Sequence, residues 1–159
     1  MSAAKTNTMR LLEAHGIPYE AYTFSPTIHS AQGVAEVLGI PVHVVYKTLV
    51  VVPPEGRPLL VLAPGNRKLD LRLLARALGQ KKVRMATHEE AEKITGLQVG
   101  GISALALPDR GLPVYIDRTA LEVEEVLVSA GRRGINLLLR VRDLIAVTGA
   151  QPIEATTGP

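Results

Sequence analysis

The chain has 159 residues, 18 lysines and arginines against 15 aspartates and glutamates, and a formal charge of +3. It has no cysteine, which excludes a disulfide framework, a thiolate zinc site and a thiol nucleophile supplied by the protein. One Phe, four Tyr and no Trp are too few rings for a protein that stacks single-stranded bases on aromatic side chains.

Thr6 to His15 reads as a first helix, with Leu11 and Leu12 turned to a core and Gly16 stopping it. Tyr19 to Thr23 reads as a strand, and Ser25-Pro26 opens a loop. Ser30 caps a second helix that runs through Leu38 and stops at Gly39. Val44 to Val52 is the strongest strand signal, because β-branched residues pack well on a pleated sheet. Pro53-Pro54-Glu55-Gly56 turns the chain, and Leu59 to Ala63 returns as the second strand of a hairpin. Asp70 caps a helix through Leu78. Lys82 to Met85 is a short strand. Thr87 and Glu90 have the spacing of a capping box, opening a helix that ends at Gly96. Val99-Gly100-Gly101-Ile102-Ser103 is too rich in glycine for a regular element. Val114 to Asp117, Glu125 to Ser129 and Ile135 to Leu139 are strands, Val141 to Thr148 is a last helix, and Ala155 to Pro159 reads as a frayed tail. Hairpin and crossover connections mix, so the class is α+β with a mixed sheet, in one domain over residues 1–159.

Met1 to Arg10 lacks the apolar core of a signal peptide, and no apolar run approaches a membrane span. The expected protein is therefore cytoplasmic and not membrane-bound. Basic residues cluster at Arg67-Lys68, Arg72, Arg76, Lys81-Lys82, Arg84 and Arg132-Arg133. They suit either a polyanionic partner or a solvated basic surface.

The phosphate loop G-x-x-x-x-G-K-[ST] and the dinucleotide fingerprint are absent. His88-Glu89 lacks the second histidine of a zinc protease helix. Histidines 15, 29, 43 and 88 show no ligand spacing, so neither a metal nor a cofactor is expected. Gly101-Ile102-Ser103 starts like a nucleophile elbow, but Leu105 stands where the motif needs glycine.

Two features stand out. Strand alternation puts Lys47 on the face of Val45, Leu49 and Val51, where an ammonium costs free energy unless it is paired or reaches water. A lysine stem that runs off the strand to solvent satisfies the same pattern. The second feature is a pair of glycine loops, Gly100 to Ser103 and Ser129 to Gly134. They can be tight turns, or backbone that approaches an oxyanion or phosphate closely.

Val45-Tyr46-Lys47-Thr48-Leu49, Thr95-Gly96, Val99-Gly100-Gly101-Ile102-Ser103 and Val128-Ser129-Ala130-Gly131-Arg132-Arg133-Gly134 together resemble the YbaK family. These are free-standing aminoacyl-tRNA deacylases, similar to the editing domain inserted in bacterial prolyl-tRNA synthetases. The resemblance runs in order over nearly the whole chain. It implies a mixed, curled, barrel-like sheet with helices packed outside. It also implies a hydrolase that clears cysteine or another small amino acid from tRNA, with the tRNA for proline as substrate and prolyl-tRNA synthetase as partner.

Lys47 matches the family's key lysine, Gly100 to Ser103 its glycine loop, and Ser129 to Gly134 its Ser-Gly-Gly-Lys-Arg-Gly motif. Ala130 stands there for the second residue and Arg132 for the lysine. Ala104 stands where the family's glycine loop continues with proline. Phe24 replaces a tyrosine, and Asn136 an aspartate, of the cysteine-specific members.

On this resemblance Lys47 and the amides of Gly101 and Ile102 would act on the ester, with Arg132 and Arg133 on a turn facing solvent. Phe24, Tyr46, Gly100, Ile102, Ser103, Ser129, Gly131 and Asn136 would shape the pocket. A non-catalytic binder of tRNA or a nucleotide on the same fold, and a small-molecule hydrolase using Ser103, are the competing readings.

Overall fold

A computed structural model describes residues 5–106 and 111–158. In chain order the regular elements are α1 (Asn7–Ala14), β1 (Glu20–Thr23), α2 (Ala31–Leu38), β2 (Tyr46–Val52), β3 (Leu59–Pro64) and β4 (Lys68–Leu69). There follow α3 (Leu71–Ala77), β5 (Arg84–Met85), α4 (His88–Thr95), β6 (Val114–Asp117), β7 (Glu125–Ser129), β8 (Ile135–Arg140), α5 (Val141–Thr148), β9 (Gln151–Ile153) and β10 (Thr156–Thr157). Helices α1 to α4 start where short polar side chains replace missing backbone acceptors. Thr6 accepts from the Met9 N–H, Ser30 from Gly33 and Asp70 from Leu73, and Thr87 with Glu90 closes the capping box.

Among the described residues three sheets form, ordered β1-β8-β7, β10-β4 and β5-β2-β3-β6-β9. The expected hairpin is there, β2 antiparallel to β3 with Lys47 opposite Ala63. The parallel pairs β3–β6 and β6–β9 make the large sheet mixed. A barrel-like sheet is not what is found. The five-stranded sheet ends at β5 and β9, the three-stranded sheet at β1 and β7, and they meet through one isolated bridge, Val45 to Leu127. Val42–Val44 coils into a 3-10 turn, so the chain enters β2 late and is bridged to β7 at a single residue pair.

Both faces of the large sheet are covered. Every residue of β3 is buried, as an unbroken apolar run requires. Tyr46, Val50, Leu60 and Leu62 pack with Leu12 and Leu144 on one face, and Val51, Leu59 and Val61 with Leu74 and Ala75 on the other. Helix α2 fills the junction of the two sheets, with Ala31, Val34 and Ala35 against Val45 and Leu127. That seat brings the start of α2 beside β2.

The tail is not frayed over its described residues, 155–158. Ala155 is fully buried, and β10 pairs antiparallel with β4. Arg67 donates to the Thr156 hydroxyl at 2.8 Å and to the Gly158 carbonyl at 2.9 Å. The buried Asp117 carboxylate accepts from the Ala155 N–H at 2.9 Å and from the Thr119 hydroxyl at 2.6 Å. The Thr119 proton is thereby used, so the Tyr46 hydroxyl donates to Thr119 at 2.7 Å. Asp117→Ala should cost about 2 kcal/mol, because it strands buried donors that face a charged acceptor. A fall in the midpoint of urea unfolding checks it.

Candidate active site

The strand β2, the start of α2, the 99–102 loop and the β7–β8 end enclose a cavity of about 140 Å³. That is close to the size of an engineered cavity that takes one benzene-sized molecule. Ile28, Val34, Val50, Ala86 and Ile102 give it an aliphatic wall, and Lys47, Asn136, Ser129, His29 and His88 bring polar atoms to it.

Lys47 is half-buried and forms no ion pair or hydrogen bond among the described residues. It also borders an adjoining cleft of about 300 Å³, with Ser30, Gln32, Gly65 and Arg67. Lys47 is thus a cation standing between two cavities. Burial holds its pKa below the usual lysine value, because desolvation disfavours the ammonium. The charged form therefore destabilises the fold below the lowered pKa. That penalty fades as pH rises toward the unfolded value of about 10.4, above which both states are neutral. Lys47→Met should raise the melting temperature at pH 7, and the gain should shrink by about pH 10–11; melting curves across that range check it.

Seven of the ten expected site residues meet at the cavity: Lys47, Phe24, Tyr46, Gly100, Ile102, Ser129 and Asn136. Tyr46 lines it while its hydroxyl is turned away to Thr119, and burial pushes its pKa up to about 12. Three residues lie apart. Ser103 is buried, its hydroxyl accepting from the Leu105 N–H at 3.2 Å. Gly101 and Gly131 floor an outer groove with Arg132 and Arg133. The Gly101 N–H donates to the Gln98 carbonyl at 2.8 Å, and the Gly131 N–H to the Ser129 hydroxyl at 3.1 Å.

Gly101 is a packing position. A Cβ there would sit 2.9 Å from the Arg132 carbonyl carbon and the Arg133 nitrogen, so only glycine lets the two loops touch backbone to backbone. Gly100, at φ +95°, turns the chain back toward the cavity. Arg133 does not face solvent as its turn suggests: it is half-buried, and its Nε donates to the Val99 carbonyl at 2.7 Å. It ties the second loop to the first. Arg132 is exposed.

His29 and Thr48 are among the lining residues outside the expected set. Sequence spacing speaks to His29 only as a metal ligand. Its Nε2 donates to the Pro26 carbonyl at 3.0 Å, and its ring lies over Gly100. Thr48 stood in the Tyr-Lys-Thr motif, but alternation sends its side chain inward, where its hydroxyl accepts from the Ala104 N–H at 3.4 Å.

The sequence profile of the aminoacyl-tRNA editing domain matches residues 25–147. The chain belongs to this family. Its members include the YbaK-type deacylases that the motifs resemble, and the relatives agree. EbsC of Enterococcus faecalis, a candidate Cys-tRNA(Pro)/Cys-tRNA(Cys) deacylase, is 39% identical over 96% of this chain and 94% of its own. Proline–tRNA ligase of a Sulfurihydrogenibium species is 31% identical over 84% of this chain, which spans 23% of that enzyme. The crystal structure of a candidate trans-editing enzyme for prolyl-tRNA synthetase superposes with a TM-score of 0.81 at 28% identity, covering 98% of this chain and all of the other. Within the editing family the cavity and its lysine take on a chemical meaning.

Proposed function

We propose that the protein is a cytoplasmic trans-editing hydrolase that cleaves a small, wrongly attached amino acid from tRNA, with prolyl-tRNA synthetase as the partner that selects tRNA for proline. The observation that carries this reading is Lys47, an unpaired and partly desolvated ammonium on the wall of a small apolar cavity, in a chain of the editing family.

The substrate is an ester between an amino acid and the terminal ribose of tRNA. Water adds to the carbonyl carbon, negative charge develops on the carbonyl oxygen, the bond to the ribose oxygen breaks, and that oxygen takes up a proton. A cation in a partly dry site stabilises the developing charge more than water does. The ester is already activated, so no protein nucleophile is needed, in accord with a chain without cysteine. The aliphatic wall suits a side chain of few carbons. Phe24 and Asn136 on the lining make the pocket less polar and less acidic than a tyrosine and an aspartate would, which favours small amino acids other than cysteine.

The test is a screen of tRNA charged with cysteine, alanine, serine, threonine or proline and incubated with pure protein. Release of at least one small amino acid above the spontaneous rate is expected. Clearance of cysteine far ahead of alanine, serine and threonine would contradict the role given to Phe24 and Asn136. Saturable binding of tRNA with no release from any of the five would overturn the hydrolase in favour of a binding module.

A further inference from the structure

Strand β2 presents an open edge to the cavity. In the antiparallel pair with β3, main-chain groups alternate in direction along the strand. Val45 points toward β3, since its carbonyl accepts from the Gly65 N–H at 2.8 Å. Lys47, Leu49 and Val51 follow it, and Tyr46, Thr48 and Val50 point the other way. On that other edge β5 pairs only with Val51 and Val52, the Val50 carbonyl accepts from the Ala86 N–H at 3.0 Å, and β7 is bridged only at Val45. Thr48 lies between the two and has no ladder partner on that edge among the described residues.

Tyr46, Thr48 and Val50 all line the cavity, yet their side chains are buried. The hydroxyls of Tyr46 and Thr48 already have partners inside the protein. The hydrogen-bonding groups that Thr48 can still offer the cavity are therefore those of its main chain. An unpaired strand edge holds a row of donors and acceptors that a ligand's own polar groups can complete, as an added strand does.

We infer that the N–H and C=O of Thr48 on the open β2 edge recognise the main-chain part of the aminoacyl group, and that the protein acts on esters with a free α-ammonium. The inference rests on the deacylase reading above. The carbonyl accepts from the α-ammonium, and the N–H donates to the ester carbonyl, the task the engaged Gly101 N–H cannot perform. Every amino acid has these two groups, so the edge reads that the substrate is aminoacylated, while the cavity reads which side chain it carries. An ester whose nitrogen is acylated, as in a peptidyl-tRNA, has lost the cation and two of its protons and is refused.

The test compares three esters on one tRNA: alanyl, N-acetylalanyl and propionyl. Each enzymatic rate is divided by that ester's spontaneous hydrolysis rate in buffer, which removes intrinsic reactivity. Propionyl lacks the ammonium without adding bulk, so it separates recognition from steric exclusion. Both altered esters are expected to be cleaved at least tenfold more slowly than alanyl, and the ratio should persist in Thr48→Val, which keeps the main-chain groups and removes the hydroxyl. Equal normalised rates for alanyl and propionyl would overturn the inference and leave the deacylase reading intact. Collapse of the ratio in Thr48→Val would move the recognition to the hydroxyl and overturn it too. If none of the three is cleaved, nor any ester of the five-tRNA screen, the deacylase reading fails and takes this inference with it. The wild-type ratios decide the matter if Thr48→Val does not fold.

Discussion

Lys47→Ala should lower single-turnover deacylation by two or more orders of magnitude, on the order of 3 kcal/mol of transition-state stabilisation, while the melting temperature holds or rises. Sequence alternation, the family motif and the structure converge on this residue. It is the cation on the cavity wall with no counter-charge among the described residues, and burial holds its pKa down. An isolated ammonium in that setting destabilises the fold unless a negative group arrives to meet it. The developing oxyanion, or a phosphate of the tRNA end in the adjoining cleft, is such a group. Arg133 does not line this cavity; its Nε holds the Val99 carbonyl on the outer side. Lys47→Arg should also be impaired, because a planar fork does not occupy the place of a compact ammonium in a tight cavity. Single-turnover rates beside melting curves for both variants check the claim. A Lys47→Ala protein that melts normally and deacylates at the wild-type rate would reduce Lys47 to a stem running along the sheet to water.

The second large effect should come from Gly101→Ala, a change of one methyl group. The new Cβ would lie 2.9 Å from two backbone atoms of the facing loop and 3.1 Å from the Arg132 Cα. Backbone cannot swing aside as a flexible side chain does, so the loops must part, at about 1–3 kcal/mol. Parting them strains the Arg133 bond to Val99 and moves Gly100 and Ile102 on the cavity wall. Displacements of about 1 Å in a reacting site cost up to about a hundredfold in rate, so a loss of tenfold or more in deacylation is expected together with a lower melting temperature. Gly79→Ala is the control. Unlike Gly101, its glycine has a positive φ, +69°, and open space around it, so it should lose stability through backbone strain alone and keep its rate. Equal deacylation by the two variants would show that contact between the loops does not position the site.

Local features were legible in the sequence because their causes are local. Ser30, Asp70 and the Thr87–Glu90 box start helices with partners three residues away. The β2–β3 hairpin follows from two β-rich runs and a proline-glycine turn. Lys47 announced itself because one charge broke an apolar face. The tail and the sheet arrangement depended on distant partners. The tail looked frayed because its composition is small and polar; Asp117, 38 positions back, and Arg67 hold it. The barrel expectation came from the resemblance, and it failed because the two sheets are joined by one bridge, which strand alternation cannot reveal. Gly101 was expected to aim its amide at the substrate, but the turn that places it uses that amide for Gln98. The Thr48 main chain was beyond reach of a reading based on side chains: every residue has an N–H and a C=O, and only the sheet's hydrogen-bond pattern decides which are left facing a cavity.

The central claim is that this chain turns over the aminoacyl ester. Free amino acid released from charged tRNA is the most direct measure of it, with the tRNA in large excess over pure protein and wild type run beside Lys47→Ala. The account predicts that wild type releases many equivalents of a small amino acid per protein molecule and leaves the tRNA intact and rechargeable, while Lys47→Ala stays near the spontaneous rate. Release that never exceeds the spontaneous rate with wild type, while the tRNA binds saturably, would contradict it.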